Sequence, residues 1–60
     1  GPDLERIKDE LIDELETDIS DHQEDLEMLD EEDEPEEVAI TSGHIAELEK
    51  LVVKLRKYSF

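Results

Sequence analysis

The sequence predicts an all-α fold: an antiparallel two-helix coiled-coil hairpin, with dimerisation into a four-helix assembly as its expected extension. Three observations predict it. Two segments carry apolar residues at helical spacing, a Pro-containing acidic run "DEEDEPEE" (residues 30–37) separates them, and the two segments carry net charges of opposite sign. A chain of 60 residues holds at most one domain, and without cysteine it has no disulfide to compensate for a small core. Gly1-Pro2 reads as the scar of a cleaved fusion tag, so residues 3–60 are taken as one hairpin excised from a longer protein.

Helix one is expected over about residues 3–31. Leu4, Ile7, Leu11, Leu15, Ile19, Leu26 and Leu29 recur at steps of three and four, with His22 filling the gap and Ile12 and Met28 beside the stripe. Ile7, Leu11, Leu15 and Ile19 are separated by successive steps of four, a stutter that relaxes left-handed supercoiling. Asp3 is the candidate N-cap.

The loop is expected over residues 32–42, with Pro35 as the stop of helix one. A disordered acidic linker is the competing reading. The turn is favoured because an apolar stripe resumes afterwards, with Val38 and Ile40 placed to tuck the loop onto the closed end.

Helix two is expected over about residues 43–57, with Ile45, Leu48, Val52 and Leu55 as its stripe, Leu51 and Val53 flanking it, and Thr41 or Ser42 as cap. A start near Pro35 is the alternative, since Val38 and Thr41 extend the register backwards. Gly43 in a helix interior costs about 1 kcal/mol, which favours the later start.

The expected interhelix seam is therefore Leu11, Leu15, Ile19, His22, Leu26 and Leu29 against Ile45, Leu48, Val52 and Leu55. Residues 3–34 carry 17 acids and two bases, while residues 44–60 carry two acids and four bases. Folding back sets Lys50, Lys54, Arg56 and Lys57 toward Asp18, Asp21, Glu24 and Asp25. Exposed pairs contribute only about 0–1 kcal/mol each, so the stripes must supply most of the stability. The arms differ in length, so Leu4, Ile7 and Leu11 should project past helix two, partly covered by Tyr58 and Phe60, as a contact for a partner or a second copy.

A net charge of −15 disfavours nucleic acid and anionic membranes and favours a protein partner with a basic surface, or a basic part of the parent chain. Asp9, Asp13, Glu14, Asp18, Asp21 and Asp25 form the expected acidic face. No apolar run approaches the ~20 residues that span a bilayer. The acidic run lacks the glycine and ligand spacing of a calcium loop. His22 and His44 are too distant in sequence for a helical ligand pair, so no metal or other cofactor is expected. His22 is read instead as a polar seam residue that biases register or responds to pH. Two helices leave no water-excluding pocket for a catalytic carboxylate pair, and the expectation is a protein without enzymatic activity.

Leu15, Ile19, Asp21, Gln23 and Leu26, the acidic break at 30–37, and then Ile40, Ile45, Ala46, Leu48 and Leu51 together resemble a stalk segment of the kinesin-4 family of motors, over about residues 14–56. Helix one is more acidic than such stalks, and Gly43 interrupts where they are helical. The resemblance implies a regulatory coiled-coil element of a microtubule motor, cytoplasmic and cytoskeletal, that restrains the motor or recruits cargo. The functional expectation is thus a coiled-coil protein-interaction module. Its rivals are an acidic segment that chaperones a basic protein and folds on binding, and a simple oligomerisation module.

Overall fold

Prolines open both helices of the computed structural model, which describes residues 2–58. Helix α1 is Pro2–Met28 and helix α2 is Pro35–Lys57. Pro tolerates the first helical turn because its missing N–H has no intrahelical acceptor there. The helices run antiparallel along a body of 49 × 15 × 9 Å, whose long axis is mostly the ~40 Å rise of α1. Phe60, an expected contact residue, lies outside the described residues.

Helix α2 ends at Lys57 as expected, while the end of α1 and the start of α2 differ from the favoured expectation. Pro2 is the first residue of α1, and Asp3 lies inside the first turn with Glu5 rather than at the cap position, where both favour the positive end of the helix dipole. Helix α1 stops at Met28 instead of near residue 31. Acidic residues are unfavourable at a helix C-terminus, and the run that follows has hydrogen bonds of its own. Leu29 N donates to the Leu26 carbonyl (3.2 Å) and Glu34 N to the Asp30 carbonyl (2.7 Å). Asp30 Oδ1 accepts from Glu32 N at 2.9 Å, and Glu34 Oε2 accepts from Asp30 N at 3.2 Å. Residues 29–34 are therefore a hydrogen-bonded turn and not a structureless linker.

Helix α2 begins two turns earlier than residue 43. Neither Thr41 nor Ser42 caps it: Glu34 occupies the cap position without a side-chain cap bond, and Glu36 and Glu37 supply the favourable charge. The cost of Gly43 is offset because the earlier start adds Val38 and Thr41 to the seam. Gly43 itself faces open space. At the other end, Lys54, Arg56 and Lys57 complement the negative terminus, and Tyr58 N closes onto the Leu55 carbonyl at 3.1 Å.

The core is the contact between the helices. Ile12, Ile45, Leu48 and Val52 are buried, and Leu15, Ile19, His22, Leu26, Leu29 and Leu55 are half-buried as the predicted seam requires. Leu11 is the exception, 42% exposed while Ile12 is 7% exposed. The reason is period. The α2 seam, Val38, Thr41, Ile45, Leu48, Val52 and Leu55, alternates steps of three and four without a break. Helix α1 matches it with Glu5, Lys8, Ile12, Leu15, Ile19, His22, Leu26 and Leu29. Two helices sharing one seam keep the same period, so the predicted stutter is absent and Ile12 displaces Leu11. Glu5 and Lys8 finish the seam as an ion pair at 3.1 Å, with only 12% of the Lys8 side chain exposed.

Candidate functional site: two unlike ends

Three cross-helix contacts set the register. Lys8 Nζ donates to the Tyr58 carbonyl at 2.8 Å, Arg56 Nη2 pairs with Glu16 Oε1 at 2.7 Å, and the rings of His22 and His44 lie 4.5 Å apart. Counting from these anchors sets Leu15 level with Val52 and Ile19 level with Leu48. The basic half of α2 consequently lies beside the first half of α1. Lys50, Lys54, Arg56 and Lys57 do not meet Asp18, Asp21, Glu24 and Asp25 as the later start of helix two would have required. Arg56 takes Glu16 instead, and among the described residues no ion pair forms at Lys50, Lys54 or Lys57.

This register separates charge along the long axis. All six Lys and Arg residues (Arg6, Lys8, Lys50, Lys54, Arg56, Lys57) lie in the half of the hairpin remote from the loop. So do six of the 21 acids (Asp3, Glu5, Asp9, Glu10, Asp13, Glu14), and that half is formally neutral. The other fifteen acids lie in residues 16–49 with no Lys or Arg, so the loop half carries the whole formal charge of −15. The predicted acidic face is divided accordingly. Asp9, Asp13 and Glu14 belong to the balanced half, and Asp18, Asp21 and Asp25 to the acidic one; all six are exposed.

The apolar residues outside the seam follow the opposite gradient. Leu4, Leu11, Asp18 and Asp25 recur at intervals of seven, so this flank of α1 runs from apolar to acidic, and Ile7, Glu14 and Asp21 follow the same order beside it until Met28. Leu51 and Tyr58, also seven apart, fall on the adjoining flank of α2. In the charge-balanced half Leu4, Ile7, Leu11, Leu51 and Tyr58 are 42–62% exposed, Leu51 lying nearest the middle of the rod. Leu4 and Ile7, 51% and 53% exposed, precede Lys8, which meets Tyr58 at the end of α2. Leu11, expected to project past helix two, does not, because α2 runs back to the level of Lys8; it lies beside α2 on the flank. From the sequence Leu51 reads as a residue flanking the α2 stripe; its place on this surface follows from the register. Val38 is half-buried at the closed end, while Ile40 is 67% exposed and does not tuck against the loop.

His22 and His44 meet across the helices although their sequence separation concealed it. His22 Nδ1 lies 2.7 Å from the Asp18 carbonyl, which only accepts, so the contact is a hydrogen bond in the forms of the ring that carry a proton on Nδ1. The rings are inclined by 30° to each other. No group of three or more metal-ligating side chains occurs among the described residues. On the opposite flank a groove of about 360 Å³ is lined by Glu16, Ser20, Gln23, Glu49, Val53 and Arg56, and the Glu16–Arg56 pair spans it. No helix is long and apolar enough to cross a membrane. Comparison with family models, curated proteins and solved structures finds no match to this chain, so a functional reading rests on the two ends just described.

Proposed function

We propose that this hairpin is a non-enzymatic protein-interaction module whose acidic loop half engages a basic surface, on another protein or elsewhere in the parent chain. The observation that carries the reading is the set of fifteen acids without a Lys or Arg across residues 16–49. Charge of one sign confined to one end steers a basic partner to that end and raises the association rate. Such a surface rejects nucleic acid by the same sign rule. The turn at residues 29–34 presents Glu31, Glu32 and Asp33 on a hydrogen-bonded backbone, so less ordering is needed on binding than for a disordered acidic tail. A stalk element of a kinesin-4 motor is one setting for such a module, supported by residue spacing alone.

The test is an NMR titration of the chain with a Lys/Arg-rich peptide. Shifts confined to residues 16–49, abolished at high salt and weakened by Glu31→Gln with Glu32→Gln, are expected. Shifts centred on Leu4, Ile7 and Leu51, or none, would sink the reading.

A further inference from the structure

The open end is charge-balanced, apolar and remote from the loop, and we infer that it docks a second copy of this chain in a dimer whose acidic loops point away from each other. The occupant is argued from charge. A basic partner gains nothing at an end where six acids balance six bases and is drawn to the loop half instead. Two copies carry −15 each and repel wherever their loop halves approach, but the neutral ends meet without that penalty. The apolar surface is adequate in size. Leu4, Ile7, Leu11 and Leu51 are each about half exposed and Tyr58 is 62% exposed. Together they offer several hundred Å², comparable to the ~300–600 Å² of the largest patches on monomers. Burial on both copies, with the surrounding polar rim, approaches the ~1,200 Å² at which specific interfaces become stable.

The dimer places two acidic tips at its extremities, so it engages two basic sites at once. This does not depend on the identity of the basic partner. A variant held monomeric keeps its acidic half intact and still binds the Lys/Arg-rich peptide, so failure of dimerisation and failure of peptide binding are separate results.

Sedimentation velocity across a wide concentration range tests the contact. A monomer–dimer equilibrium is expected, with its dissociation constant raised at least about tenfold by Ile7→Glu or by Leu51→Glu and unchanged by Met28→Glu. Met28 is the control because it is 86% exposed and lies at the acidic end. All three sites are exposed, and unchanged helicity by circular dichroism certifies the fold. The orientation is read by spin labels on Glu32→Cys, for which a loop-to-loop separation longer than the 49 Å body is expected. A monomer at every concentration, a dimer indifferent to both Glu substitutions, or loops closer than the length of one hairpin would overturn the inference.

Discussion

Lys8 and Tyr58, at opposite ends of the sequence, close the hairpin at the end opposite its loop: the Lys8 ammonium donates a 2.8 Å hydrogen bond to the Tyr58 carbonyl. Tyr58 is the C-cap of α2, so a cation from α1 meets the negative end of the α2 dipole at one of the carbonyls a helix leaves unsatisfied. The Lys8 stem lies on the seam while its head reaches the cap, an arrangement open to long amphipathic side chains.

Lys8→Met keeps the stem and removes the charge. It should destabilise the hairpin by about 1 kcal/mol. Amide exchange at Arg56 and Lys57 should accelerate more than at Leu48, and uniform acceleration would mean that the contact does not act on the cap.

Ile12→Ala and Leu11→Ala distinguish the two possible seams. The buried Ile12 should cost about 2 kcal/mol or more, enough to melt much of so small a fold, while the exposed Leu11 should cost under about 1 kcal/mol. Urea melts of the two variants that give equal losses would contradict the heptad register.

Gly43→Ala should stabilise the protein by about 0.5–1 kcal/mol, because Gly43 lies in the interior of α2 and an added Cβ meets nothing within 4 Å. A lower melting temperature for this variant would place the start of α2 after Gly43, as the sequence had suggested.

Screening should raise the melting temperature between low and moderate salt. Of the fifteen acids of the loop half only Glu16 has a basic partner among the described residues, and that Glu16–Arg56 pair is about half exposed and weak, so repulsion among the rest dominates. A melting temperature that falls with salt would show that the ion pairs outweigh this repulsion.

The helical hairpin was legible in the sequence because spacing and the Pro35 break are local signals. Nine of the ten expected seam residues, all but Leu11, are buried or half-buried. What stayed hidden depended on pairing. Leu11 and Ile12 both fit a helical stripe on α1 alone, and only the unbroken α2 period selects Ile12. The start of α2 is not a local property: Gly43 disfavours a helix by itself, and only the places of Val38 and Thr41 on the seam offset that cost. A start at Gly43 implies a different register, one without the His22–His44 contact and with the basic residues opposite other acids. By sequence the charges divide between the two helices; in space they divide between the two ends.

That division makes the hairpin a rod with a permanent electric dipole along its axis. Near a basic surface it experiences a torque before it touches anything, so it arrives tip first and few of its orientations at first encounter are unproductive. Joined at their neutral ends, two such rods would cancel each other's dipole while keeping both charged tips, exchanging orientation at a distance for a second point of attachment.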